Sequence, residues 1–149
     1  MTTITLLTNG DDVYNAGNGP DDVRGLNGND IIFGGKGNDD LFGGNGNDTM
    51  NGGDGNDVLW GGPGSDRLLG GDGSDTFAFG SGSKVGTDVV RDFVDGEDYI
   101  HCSLAGFDFG DVSQSIGGAG NNNVTIEAGA VDIHFRIIGG TILDATDFI

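Results

Sequence analysis

GGKGNDDLF-GGNGNDTMN-GGDGNDVLW-GGPGSDRLL-GGDGSDTFA, residues 34–78, is a run of five consecutive nine-residue units. Each has Gly at places 1, 2 and 4, Asp at place 6 and an apolar residue at place 8. A fixed internal period marks a stacked architecture, because one unit alone cannot bury its apolar side chain. Nine is not a helical period, and three glycines per unit would cost an α-helix about 1 kcal/mol each. Glycine accepts positive φ and close backbone approach, so places 1–6 are predicted to form a tight turn. Places 7–9 are predicted to form a three-residue strand, its middle side chain inward and its flanks outward. Two turns and two strands close a coil of two units, and coils stack as parallel strands about 4.8 Å apart. The predicted fold class is all-β: a right-handed parallel β-roll, a β-helix of nonapeptide repeats, with a β-rich C-terminal cap.

Stacking brings the place-6 carboxylates of alternate units within about 5 Å of each other along each edge. Unpaired, such a column repels itself. Bridged by a hard cation, it becomes a cage of carboxylate oxygens and turn carbonyls, the donor set that Ca²⁺ favours. A Gly/Asn-rich flexible linker would need neither the strict period nor the apolar place 8. The units resemble the RTX calcium-binding nonapeptide family, and the resemblance implies Ca²⁺ held between the turns of neighbouring coils. It assigns to those turns Gly35, Gly37, Gly44, Gly46, Gly53, Gly55, Gly62, Gly64, Gly71 and Gly73.

Extending the register backward gives 25–33 (GLNGNDIIF), 16–24 (AGNGPDDVR) and 7–15 (LTNGDDVYN), all with Gly at place 4 and Asp at place 6. One edge then carries Asp12, Asp30, Asp48 and Asp66, and the other Asp21, Asp39, Asp57 and Asp75. Three gaps per edge predict six inter-coil sites, hence about six or more calcium ions. The inward column reads Tyr14, Val23, Ile32, Leu41, Met50, Leu59, Leu68 and Phe77.

Among 149 residues, 24 are acidic and 6 basic, a net charge of −18, so nucleic acid and anionic membranes are poor partners. Thirty-two glycines and 35% apolar content leave a thin core, and one Cys allows no intrachain disulfide. Metal is the expected staple. The calcium-free roll is expected to be largely unfolded, with binding and folding as one reaction. No amino-terminal signal peptide and no apolar stretch long enough to span a membrane are visible. The RTX resemblance implies instead secretion through a type I apparatus that reads a carboxy-terminal signal, and so an extracellular location.

Three regions are expected: 1–15, a capping strand and degenerate first repeat; 16–80, the roll; and 81–149, a cap with the secretion signal. Thr2–Leu7 favours a strand that covers the open first coil. The repeat breaks at 79–87, where Lys84 stands at place 6. The following TDVVRDFVDGEDYIHCSLAGF resembles the junction after RTX arrays in secreted metalloproteases and alginate epimerases. Asp88, Asp92, Phe93, Gly96, Asp98 and Ile100 match that pattern, whereas His101 and Cys102 depart from it; Asp88 joins the candidate ligands. Residues 117–124 mimic a repeat with Asn122 for Asp, read as a turn. Residues 124–127 and 131–138 alternate as a hairpin. The terminal Asp147-Phe148-Ile149 resembles the end of a type I signal.

No metal-binding histidine pair or nucleophile elbow is present, so the chain is not expected to be an enzyme. On the outer face, Phe42 stacks beneath Trp60, an apolar patch fit for a partner domain, a second copy or internal cover. The leading expectation is a calcium-dependent folding and secretion module. An adhesive or partner-binding protein, or the detached end of a larger secreted hydrolase or epimerase, stands beside it.

Overall fold

A computed structural model describes residues 3–80, 86–103, 112–116, 121–128, 131–138 and 143–149. Its strands are β1 (Thr3–Leu6), β2 (Val13–Asn18), β3 (Asp21–Asn27), β4 (Ile31–Lys36), β5 (Asp40–Asn45), β6 (Thr49–Asp54) and β7 (Val58–Trp60). They continue as β8 (Arg67–Asp72), β9 (Thr76–Gly80), β10 (Asp88–Val90), β11 (Tyr99–Ser103), β12 (Val112–Ile116), β13 (Asn121–Ala128) and β14 (Val131–Ile138). A 3-10 turn, Ala145–Asp147, follows. Odd-numbered strands β1 to β11 form one six-stranded sheet. Even-numbered strands β2 to β10 form the other, which β14, β13 and β12 extend. Within the repeats the pairing is parallel in the expected register, Val23 to Leu41 to Leu59 on one sheet and Ile32 to Met50 to Leu68 on the other. The chain is a parallel β-roll.

The strands outrun the predicted three residues. β4 takes places 7–9 of one unit and places 1–3 of the next, and its ladder steps from Phe33↔Asn51 to Gly35↔Gly53. The turn is therefore only places 4–6. Glycine at place 2 makes this possible: Gly35 has φ +103°, and a Cβ there would collide with the Gly17 carbonyl of the coil below. Leu26 occupies place 2 with φ +79°, a conformation that costs a side-chain-bearing residue energy. β7 stays short where Pro63, at place 3, has no N–H to give the ladder.

Val23, Ile32, Leu41, Met50, Leu59, Leu68 and Phe77 are completely buried, with Tyr14 partly buried against them. Each contributes about 1.5–3 kcal/mol. The column does not stop at residue 80. Val90 lies beside Leu68, Ile100 beside Phe77 and Ile137 beside Val90, all three completely buried. Phe148 bridges to Ile100, and the Ile149 N–H donates to the Ile100 carbonyl at 3.1 Å, so the chain's last residues form a further rung.

β1 protects the β3 edge by joining it as one more rung, not by lying across the coil. Thr5 falls at place 8 beside Val23, because the nine-residue register runs back this far. The hairpin is present as antiparallel β13 and β14, longer than expected. Asn121–Val124, read from sequence as part of a turn, belongs to β13. Gly117–Gly120 and Lys84 lie outside the described residues.

Candidate calcium site

The predicted edges are two hydrogen-bonded ladders of aspartate. The Asp12 N–H donates to Asp30 Oδ1, Asp30 to Asp48 and Asp48 to Asp66, each at 2.8 Å. On the other edge Asp21 donates to Asp39 at 2.9 Å, Asp39 to Asp57 at 2.8 Å and Asp57 to Asp75 at 2.9 Å. Both ladders continue beyond the repeats. The Asp66 N–H donates to Asp88 Oδ1 and the Asp75 N–H to Asp98 Oδ1, each at 2.9 Å. Asp88 therefore takes the place above Asp66 that the repeat register gives to Lys84. Asp98 was not among the candidate ligands; its offset from Asp75 is 23 residues, outside the repeat period.

One carboxylate oxygen of Asp30, Asp39, Asp48, Asp57, Asp66, Asp75, Asp88 and Asp98 is thus engaged. In six of them the other is not: Oδ2 of Asp30, Asp39, Asp48, Asp57, Asp66 and Asp75 is buried and accepts no hydrogen bond from the described residues. Each points at the place-1 glycine of its own unit. A Cβ on Gly34 would lie 2.5 Å from Asp39 Oδ2 and 2.5 Å from the Gly52 carbonyl of the coil above. Gly25, Gly43 and Gly52 face the same pair of oxygens, and Gly61 and Gly70 face Asp66 and Asp75. These place-1 glycines are absent from the residues picked out by sequence, which were those at places 2 and 4. Places 2 and 4 carry the positive φ angles and the close stacking of turn on turn. Place 1 shapes the pocket.

Such a pocket holds acceptors only: a dehydrated carboxylate oxygen beside a carbonyl oxygen. A buried anion with no donor is costly. Burial pushes Asp48, Asp57, Asp75 and Asp88 up to about 6 and Asp66 up to about 7, against the lowering effect of the bonds from backbone N–H. Asp30 and Asp39 are raised for the same first reason. A hard divalent cation relieves this cost, and mixed carboxylate and carbonyl oxygens suit Ca²⁺. Among the described residues no three acidic, histidine or cysteine side chains converge on a metal position, so backbone carbonyls must supply much of any coordination.

A second ladder holds the turns in place. Asn47 N–H donates to Asn29 Oδ1 and Ser65 N–H to Asn47 Oδ1, each at 2.9 Å. Asn56 and Ser74 donate likewise to Asn38 and Asn56 at 3.1 Å. These place-5 bonds run in the opposite sense to those of the aspartates, so the turns at Asn47 and Asn56 are gripped from both neighbouring coils.

Residues 8–41, 15–50 and 42–77 match the RTX calcium-binding nonapeptide repeat. These residues are RTX calcium-binding nonapeptide repeats. The AlgE6R3 subunit of the Azotobacter vinelandii mannuronan C5-epimerase shares the fold: TM-score 0.60 and 24% identity, over 95% of this chain and 78% of that one. The AlgE6R2 subunit of the same enzyme aligns at TM-score 0.42 and 23% identity over 92% and 90%. The extracellular lipase LipA of Serratia marcescens aligns at 0.42 and 14% over 99% and 40%. No curated protein sequence matches the chain.

Outside the RTX edges, Phe42 and Trp60 meet edge to face with centroids 5.9 Å apart, and the Arg24 guanidinium lies 5.0 Å from the Phe42 ring. Trp60 is 40% exposed and, with Phe42, Asn45 and Pro63, lines a shallow groove of about 160 Å³. His101 and Cys102 point apart: His101 Nδ1 lies 3.0 Å from the Ile149 carbonyl oxygen, whereas Cys102 packs against the core. Burial pushes the Cys102 thiol up to about 12, so it is no nucleophilic thiolate near neutral pH.

Proposed function

We propose that this RTX roll binds calcium along both edges, that binding and folding are one reaction, and that the chain is a secreted module. The observation behind this is the two rows of three buried Oδ2 atoms with no donor among the described residues. Asp30, Asp39, Asp48, Asp57, Asp66 and Asp75 would hold the ions, helped by place-1 carbonyls such as those of Gly43, Gly52, Gly61 and Gly70. Bound calcium supplies the positive charge that lets dehydrated carboxylates stack. The aspartate N–H groups orient each carboxylate, and the missing Cβ at place 1 leaves room for the ion. Extracellular calcium modules work at dissociation constants of about 10⁻⁴–10⁻³ M. Cytoplasmic calcium would leave the chain extended and threadable, and external calcium would fold it. Calorimetric titration tests the binding: calcium should give saturable heat, and magnesium, which demands near-ideal octahedral geometry, should give little. Equal response to both ions would contradict calcium cages.

Export belongs to the same reading. A type I apparatus would take the unfolded chain by its last segment within 81–149. Removing 143–149 should block export through such an apparatus while calcium binding survives; normal secretion of the truncated chain would refute the address. The exposed Phe42–Trp60 groove favours a second role, contact with a partner domain or another copy. No catalytic role is proposed.

A further inference from the structure

We propose that the calcium sites sit one coil nearer the C-terminus than the nonapeptide spelling places them. The gaps Asp12–Asp30 and Asp21–Asp39 hold no ion, and the gaps Asp66–Asp88 and Asp75–Asp98 each hold one. The inference rests on the calcium-binding reading and assigns its positions.

Place 1 divides the units into two groups. In six units this residue is glycine: Gly25, Gly34, Gly43, Gly52, Gly61 and Gly70. These same units own the six unpartnered carboxylate oxygens. In the two N-terminal units place 1 is Leu7 and Ala16, whose side chains pack partly buried against the core. A Cβ at place 1 falls where the other units keep carboxylate and carbonyl oxygens, as the 2.5 Å separations at Gly34 show. Asp12 has accordingly turned elsewhere: its Oδ2 accepts from the Thr8 N–H at 2.8 Å and the Thr8 hydroxyl at 2.7 Å. Asp12 and Asp21 are only half-buried, whereas Asp30, Asp39, Asp48, Asp57, Asp66 and Asp75 are at most 1% exposed.

At the other end the pocket outlives the repeat. Asp66 and Asp75 keep their place-1 glycines and their buried free oxygens, with Asp88 and Asp98 seated above them in the positions of a next place-6 aspartate. Asp88 and Asp98 are themselves 5% and 3% exposed. Asp98 Oδ2 is held by the Val94 N–H at 2.8 Å, and Asp92 accepts from Gly70 and Gly71 N–H at 3.0 Å, so the closing turn is fixed in place. A site therefore requires a lower unit with glycine at place 1 and aspartate at place 6, and any upper turn that presents a carboxylate in register.

Equilibrium dialysis of the full chain with calcium counts the ions, with circular dichroism confirming that each variant folds. Asp98→Asn, which keeps an oxygen for the Asp75 N–H, should bind one ion fewer than the unaltered chain. Asp12→Asn should bind the same number. Ala16→Gly, which opens the pocket facing Asp21, should bind one more, and it reads out the rule even if Asp98→Asn fails to fold. Loss of an ion in Asp12→Asn, an unchanged count in a folded Asp98→Asn, or an unchanged count in Ala16→Gly would each overturn the placement. An unaltered chain that binds no calcium would instead overturn the calcium reading itself.

Discussion

Asp12 and Asp98 stand at opposite ends of the roll and reverse what their surroundings in the sequence suggest. Asp12 lies in a unit that keeps Gly at place 4 and Asp at place 6, yet its carboxylate is half-buried and satisfied by Thr8. Asp98 lies in no repeat, yet it is 3% exposed and receives the Asp75 N–H as a repeat aspartate would. Burial of the carboxylate and its bond from the aspartate below thus belong to a position in the stack, not to the nine-letter spelling. That position needs a turn above, a turn below and no Cβ between them.

The contrast is broken most forcefully by substituting one aspartate in the middle and one at the frayed end. Asp57 receives the Asp39 N–H, gives its own N–H to Asp75 and faces Gly52. Asp57→Ala should raise the calcium midpoint for folding by about 10–100-fold, since even outer-shell partners of a metal are worth that much. Asp12→Ala should move it by less than about twofold, as a surface change worth under about 0.5 kcal/mol. Equal midpoints in fluorescence-monitored titrations would remove the distinction between the two positions.

A smaller, pH-driven effect sharpens it. In the calcium-free roll, burial raises Asp48, Asp57 and Asp75 to about 6 and Asp66 to about 7, above the ordinary 3.8. The folded chain then holds protons that the unfolded chain has released, so its stability falls as pH rises through this window. Metal-free protein should gain β signal on going from pH 8 to pH 5, while the calcium midpoint rises as protons compete for the same oxygens. Asp66→Asn, which removes one of these buried carboxylates, should weaken this pH dependence. A metal-free spectrum indifferent to pH would contradict the burial of these carboxylates.

Much of this was legible in the sequence, and the parts that were not have physical reasons. The period alone yields the coil, the alternate edges and the inward column from Val23 to Phe77, because each depends only on counting by nine and eighteen. The extent of the roll does not, because Asp88 and Asp98 follow their partners by 22 and 23 residues and counting breaks off at Lys84. Strand length was underestimated because pairing resumes at the place-2 glycines, whose φ lies near +100°. The role of place 1 was hidden for another reason. Gly34 has an ordinary backbone, and only the Asp39 carboxylate and the Gly52 carbonyl of the next coil forbid a side chain there.

The coupling of calcium to the fold of the roll is read by far-ultraviolet circular dichroism of the full chain at neutral pH. Calcium should bring up the β-sheet spectrum cooperatively, and EGTA should return the chain to a largely unstructured state. An EGTA-treated chain that keeps its full spectrum and its thermal transition would contradict the account.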